Sequence, residues 1–440
     1  CVMALVSILI YIKLNIYINY IPIYKTTMTD LEKLSESCYE LLEMVIKEQC
    51  IDYIMPGFEE RVKKDVIELL TDSEVEGIIL SDSIEIAMIM INEHVAPMRS
   101  QARSSITSLP HTLSYISNQL EYLKNCPQPA QRTLEWYEYR NTCLTASNIW
   151  KVFGSESSRN QLIYEKCIPC KDFSDSNMNV DSTLHKGQCY EPLSVQWYEH
   201  NCDAIVADYG AIRHKTIPFI SASPDGINVN ECSSSYGRML EVKNIFNREI
   251  NGIPKLEYWV QMQTQMEVCE LDICDFLETR FVEYNNSGDF ETDGDFTISA
   301  DNKAKGIFIM FMDTNGRVFY QYPPYGVTLK EFELWQETTM EVYSDDEWIR
   351  NIYWKLDQVS CVAVKRNKLW FSSALPLIRE LWDIIERERV SGFEHRKPKR
   401  KRKTSPIPMG CIVPCVNTSD EPSDVNVSGC IIPLGDNIAE

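Results

Sequence analysis

At 440 residues, with 44% hydrophobic and 24% charged side chains, the chain has the texture of a soluble globular protein with apolar material for more than one average core. A formal net charge of −21 excludes a protein that coats nucleic acid through overall basicity, yet leaves room for an enzyme that meets a polyanion through a local groove and bound cations. The 16 cysteines are scattered, mostly single in apolar runs (Cys269, Cys274, Cys361), which excludes a short disulfide scaffold and reads as free thiols in a reducing compartment.

Residues 3–24 are rich in Ile, Leu and Tyr, but Lys13, Asn15, Asn19 and Pro22 interrupt them and no small-residue cleavage site follows, so neither a membrane anchor nor a signal peptide is expected. Met28 leads into Thr29-Asp30-Leu31-Glu32, an N-cap with an acidic first turn. Translation is therefore expected to begin at Met28, with 1–27 a non-native extension. Residues 28–125 read as a helical accessory region. Leu41, Leu42, Val45 and Ile46 recur at helical spacing, as do Val62, Val66, Ile67 and Leu70, and further helices are predicted over 79–91 and 104–123.

Pro127 and Pro129 mark a boundary, and the texture over 126–390 changes to an α/β pattern. Strands are predicted over 205–209, 217–222, 239–243, 273–279, 306–312 and 318–322. Helices are predicted over 146–152, 191–199 and 258–269, and the chain is expected to stay helical after Thr328, through 334–343 and 375–387. Residues 391–440 are Pro-, Ser- and Asn-rich and expected to be disordered. Their basic run over 395–403 reads as a nuclear-import signal or a non-specific DNA contact, which points to an intracellular, nuclear protein.

The chemistry concentrates in Ser223-Pro224-Asp225-Gly226 and Leu240-Glu241-Val242-Lys243. The first is a turn carrying one carboxylate, the second an apolar strand. Side chains alternate along a strand, so Glu241 and Lys243 share a face while Val242 enters the core. A hairpin joining the segments would set Asp225 beside Glu241. Two carboxylates, the Val242 carbonyl and water suit octahedral Mg²⁺ or Mn²⁺, the ion phosphodiester hydrolysis needs. Lys243 would orient the water or stabilise the transition state.

These segments resemble the PD-(D/E)xK nucleases, and among them the YqaJ-like viral recombinases typified by bacteriophage lambda exonuclease. Four blocks carry the resemblance, in order: Trp136-Tyr137-Glu138-Tyr139-Arg140 with Thr145-Ala146-Ser147; Gly187-Gln188-Cys189-Tyr190-Glu191; the two segments above; and Tyr258-Trp259-Val260-Gln261-Met262-Gln263. The resemblance implies a restriction-endonuclease-like core, a mixed central β-sheet flanked by helices, and a Mg²⁺- or Mn²⁺-dependent exonuclease acting 5′ to 3′ on duplex DNA ends in viral recombination or repair. It makes Asp225 and Glu241 the principal metal ligands with the Val242 carbonyl, Lys243 the catalytic lysine, and Glu191 a helper at the metal or its water. Gln261 would reach the site from the following helix. Arg140 and Ser147 would hold the 5′-phosphate, a guanidinium fork and a hydroxyl near a helix start. A single-strand annealing protein and further copies of the chain are the partners the resemblance suggests. The blocks from Trp354 to Arg366 and at Trp370-Phe371 look similar to nucleases of large DNA viruses.

Two other readings stay open: an endonuclease on the same core, and a non-catalytic DNA- or protein-binding adaptor. Cys167-Ile168-Pro169-Cys170 has no second CxxC and reads as a loop with free thiols, and His185 reads as a polar loop histidine. No Gly-rich phosphate loop is present to suggest ATP use.

Overall fold

A computed structural model describes residues 28–70, 77–107, 109–130, 133–169 and 183–397; the expected extension over 1–27, Cys170 and the stretch from 398 onward lie outside them. The first helices are α1 (Met28–Gln49), α2 (Phe58–Leu69) and α3 (Gly77–His94). Leu42, Val45 and Ile46 of α1 and Val62 and Val66 of α2 are buried, so an apolar stripe at helical spacing holds these elements together. The helix predicted over 104–123 starts later than its apolar pattern suggests. Gln101–Ala102 form a short strand, β1, and α4 spans Leu113–Asn125 behind its N-cap Thr112, whose Oγ1 accepts from the Tyr115 N–H at 3.3 Å. Pro110 explains the delay, because a residue before proline is pushed away from helical geometry.

The next elements are α5 (Leu134–Asn141), β2 (Leu144–Thr145), α6 (Ala146–Ile149), α7 (Glu156–Cys167), α8 (Thr183–Cys202), β3 (Val206–Ala207), β4 (Ile212–Arg213), β5 (Ile220–Ala222), β6 (Gly226–Asn228) and β7 (Met239–Asn244). They are followed by α9 (Leu256–Cys269), β8 (Ile273–Glu283), α10 (Ser287–Thr292), β9 (Lys305–Met312), β10 (Val318–Gln321), α11 (Leu329–Val342), β11 (Glu347–Lys365) and α12 (Lys368–Ser391). The main sheet runs β10-β9-β11-β8-β7-β6-β3, with β1 also paired to β11, and a small sheet runs β2-β5-β4. In the main sheet β7 and β8 are parallel and the other neighbours antiparallel, so the sheet is mixed, with helices against it, as expected.

The structure corrects three expectations. The chain does not stay helical after Thr328: β11, 19 residues long, separates α11 from α12 and lies inside the sheet between β9 and β8. Its Ile352, Trp354 and Leu356 are buried at every second position, a strand period within a polar surrounding. α8 begins at Thr183 rather than near Glu191, so Pro192 lies inside the helix, where its missing N–H leaves the Gln188 carbonyl without a helical partner. The stretch expected to be disordered from 391 remains ordered through Arg396, whose guanidinium bonds both Glu388 carboxylate oxygens. Among the described residues no helix is long and apolar enough to cross a membrane.

α9 is buried on nearly all sides, so its polar residues must find internal partners. Gln263 does so on both ends of its amide, donating to the Lys365 carbonyl at 3.0 Å and accepting from the Asn367 N–H at 2.6 Å. Around this helix one contiguous apolar cluster extends from Cys38 to Ile385 and takes in α1, α2 and α4 as well as the sheet and α12. The helical N-terminal region therefore shares its core with the α/β part.

A buried charge fastens the two. Asp275 on β8 is fully buried; it accepts from Arg103 Nε at 2.8 Å, Tyr198 Oη at 2.7 Å and Arg238 Nη1 at 3.5 Å. Arg103→Ala removes the shortest of these cationic contacts and is expected to destabilise the fold by about 3 kcal/mol, because an under-compensated carboxylate stays in the core. Urea unfolding checks this; a change within the few tenths typical of a surface substitution would show that Arg238 and Tyr198 suffice.

Candidate functional site

β7 carries Glu241, which is fully buried. Its antiparallel partner β6 pairs Gly226 with Leu240 and Ile227 with Met239, and extending that register sets Asp225 opposite Glu241. The juxtaposition expected of a hairpin is thus present. Asp225 Oδ2 accepts from the Val242 N–H at 2.7 Å, which turns its carboxyl toward β7. Two glycines allow the approach. A Cβ on Gly226 would run into the Val206 side chain of β3. Gly237, at the return of the hairpin, has φ +76° and Ile116 of α4 packed against its Cα, so both conformation and space require glycine.

Both Glu241 oxygens are held. Oε1 accepts from Lys243 Nζ, and Oε2 accepts from Gln265 Nε2 at 2.7 Å. Lys243 Nζ also lies 5.2 Å from the centre of the Tyr258 ring, over which the Arg248 guanidinium sits at 5.5 Å. Burial lifts the Asp225 carboxyl well above the usual carboxylate range, and the charges of Glu241 and Glu191 lift it further, against Lys243 and the Val242 N–H. Burial pulls Lys243 down, but Glu241 and Asp225 outweigh it and hold the ammonium above its ordinary value.

Beside Asp225 a cleft of about 450 Å³ opens, lined among others by Gln128, Glu191, Asp208, Tyr209 and Asp225. Glu191 therefore faces the same space as Asp225. Asp208 also faces it, a neighbour to which the sequence reading gave no role. Asp225, Glu241 and the Val242 carbonyl offer hard oxygens of the kind Mg²⁺ takes while keeping several waters, so the residues fit the implied ion. Among the described residues no group of three or more His, Cys, Asp or Glu side chains is arranged to hold a metal ion. The surplus of carboxylates over Lys243 in a dehydrated place is an electrostatic reason for a divalent cation to bind there.

The other expected site residues fall into two groups. Gln261 lies on the same face of α9 as Gln265, one turn earlier, and is partly exposed; the carboxamide bonded to Glu241 is that of Gln265. Arg140 packs over the Trp136 ring at 4.4 Å, and its carbonyl accepts from Lys166 Nζ at 2.5 Å. Burial lowers the Arg140 guanidinium somewhat and brings the Lys166 ammonium down to about 8. Ser147 is exposed, with its Oγ 3.1 Å from Thr145 Oγ1. β2 and β5 are parallel, pairing Thr145 with Ser221, so Ser147 and Ser223 leave the small sheet at the same end. Neither Arg140 nor Ser147 lines the cleft beside Asp225.

Among the described residues, Cys167, Cys189 and Cys202 pack in three separate apolar clusters. His185 is not a loop residue. It is buried in α8, with Nε2 2.5 Å from Tyr320 Oη.

Residues 135–272 match the sequence profile of the YqaJ-like viral recombinase domain, so the resemblance carried by the four blocks holds over that stretch. The chain is 31% identical over 305 residues to an uncharacterized protein of Acanthamoeba polyphaga mimivirus, a large DNA virus; the match takes in 61% of this chain and 55% of that one. The chain thus spans about half the length of the curated relative it matches. Crystal structures of an alkaline exonuclease (LHK-Exo) from Laribacter hongkongensis, one of them in complex with dAMP, are similar at a TM-score of 0.35 and 20% identity, over 58% of this chain and 94% of theirs.

Asp225 makes the site's electrostatics testable. Its raised folded value means that the contribution it makes to stability is complete below the ordinary carboxylate range and lost as pH rises through the folded value. In chelator, Asp225→Asn is therefore expected to raise the melting temperature at about pH 9 and to leave it nearly unchanged at about pH 4. Equal shifts at both pH values would contradict the assigned strain.

Proposed function

We propose, from the YqaJ-like viral recombinase domain over residues 135–272, that this chain is a Mg²⁺-dependent deoxyribonuclease, an exonuclease that degrades duplex ends 5′ to 3′ in viral DNA recombination or repair. The observation that carries the reading is the register that sets Asp225 opposite Glu241 with Lys243 bonded to the same carboxylate. That arrangement answers the needs of phosphodiester hydrolysis and has no evident structural purpose, since an apolar pair would fill the space at lower cost.

A divalent cation, when bound, supplies an acidified water and offsets the charge gathering on the phosphate. Asp225, Glu241 and the Val242 carbonyl would hold it. Glu191, on the same cleft, would accept from the attacking water and aim it. Lys243 keeps its proton at neutral pH, because Glu241 and Asp225 hold its ammonium above the ordinary value. Its ammonium would orient the water or donate to a phosphate oxygen in the transition state. Gln261, partly exposed on α9, would meet the substrate. Arg140 and Ser147 would take the 5′-phosphate, and the proposed polarity rests on that assignment. An annealing protein and further copies of the chain are the partners in keeping with this family.

The test compares end-labelled linear duplexes, with and without a 5′-phosphate, against covalently closed circles in Mg²⁺. Preferential decay of the 5′-phosphorylated linear strand with circles spared is expected; efficient cutting of circles would replace the exonuclease with an endonuclease. Lys243→Ala is expected to lower kcat by about 10²–10³-fold while duplex affinity is kept, the loss typical of removing one preorganised donor from a developing charge. Unchanged turnover would discard the mechanism.

A further inference from the structure

We infer that Gln265 is a positioning residue for the paired carboxylates, setting the affinity of the site for its divalent cation; the role rests on the nuclease reading above. Gln265 is fully buried on α9, the second of two buried glutamines there. Gln263 has both ends of its amide satisfied by the segment entering α12 and serves the fold. Gln265 is different. Its single amino group donates to Glu241 Oε2 at 2.7 Å and to the Ser223 carbonyl at 3.2 Å. One side chain thus grips both segments that carry the acids: β7, and the turn two residues before Asp225. The reverse orientation would press the amide oxygen against a carboxylate, so the nitrogen assignment follows from the acceptors. The amide oxygen is buried with no hydrogen-bond partner. An orphaned acceptor in a core is a cost that leucine or methionine would not incur, and its retention points to a use for the amino end.

That use is visible at Glu241. Lys243 holds Oε1 and Gln265 holds Oε2, so the carboxylate is fixed before any ion arrives. Without Gln265 the carboxylate is free to rotate onto Lys243, and the Ser223 turn loses its tie to β7. An ion must then order both acids as it binds. The defect is one of affinity and is reversed by excess metal, whereas general damage to the fold is not.

The experiment titrates Mn²⁺ calorimetrically into full-length wild type, Gln265→Met and Asp225→Asn, and follows kcat and KM for a linear duplex across Mn²⁺ concentration. Gln265→Met keeps the volume and removes both hydrogen bonds. Its Mn²⁺ Kd is expected to weaken by about 10–100-fold, the range for removing a residue that orients a metal ligand, with kcat restored at saturating Mn²⁺ and KM for duplex unchanged. A wild-type Kd, or a kcat loss that saturating Mn²⁺ does not restore, overturns the role. Should Gln265→Met fail to fold by circular dichroism, Gln265→Asn, too short to reach both acceptors, takes its place with the same expected and overturning results. If wild type binds no Mn²⁺, or Asp225→Asn binds it as wild type does, the metal reading falls and this role with it. If Asp225→Asn loses binding while Gln265→Met keeps it, only the role of Gln265 falls.

Discussion

Because side chains alternate along a strand, the pairing of Gly226 with Leu240 decides which side of the sheet Glu241 and Lys243 face beside Asp225, and much of the surrounding structure holds that pairing in place. A slip of one residue would carry Glu241 and Lys243 to the opposite face and put Val242, part of an apolar cluster, in their place. Four constraints oppose it. The Asp225 carboxylate caps the Val242 N–H, the Gly226 Cα lies against Val206, Asn228 exchanges backbone bonds with Gly237 and Arg238, and Ile116 closes on Gly237. Each acts at a different point of the hairpin, and the last comes from a helix far away in sequence.

The electrostatics follow from that geometry. Bringing Asp225, Glu241 and Glu191 near one ammonium in a partly dehydrated space raises the Asp225 carboxyl, and the same crowding raises Lys243. Tyr258 presents its ring to both Lys243 and Arg248, and Arg248 is in turn bonded to the buried Glu278. Positive charge is thus placed on a scaffold next to concentrated negative charge. In a chain of net charge −21 this local ordering, and not the overall balance, governs what approaches the site.

The carboxylates and the lysine were legible in the sequence because both motifs are short and local: a Pro-Asp-Gly turn, and an apolar strand broken by Glu241 and Lys243. β7 and β8 were legible as apolar runs bounded by turn residues, whereas β6, three residues long, was not among the predicted strands. What escaped depends on distance. Gln265 could not be told from Gln261 and Gln263, since its partner Glu241 is 24 positions away and three alternating glutamines look equivalent until the sheet is placed beneath them. α8 begins upstream of the predicted 191–199, where Cys189 and Tyr190 are buried by packing that the local pattern does not show. β11 escaped because only part of its length is buried on one face and the rest is shared between β9, β8 and β1.

The proline-marked boundary near residue 127 looks like a hinge between modules, but the contacts across it have the character of an interlock. β1 lies on the edge of β11, Gln119 donates to the carbonyl that ends α9, Ile116 fills the space above Gly237, and Arg103 reaches the buried carboxylate near the start of β8. An excised α/β fragment would open a sheet edge, bare an apolar face and strand a charge in its own interior. The helical region is therefore better regarded as a wall of the α/β half than as cargo attached to it.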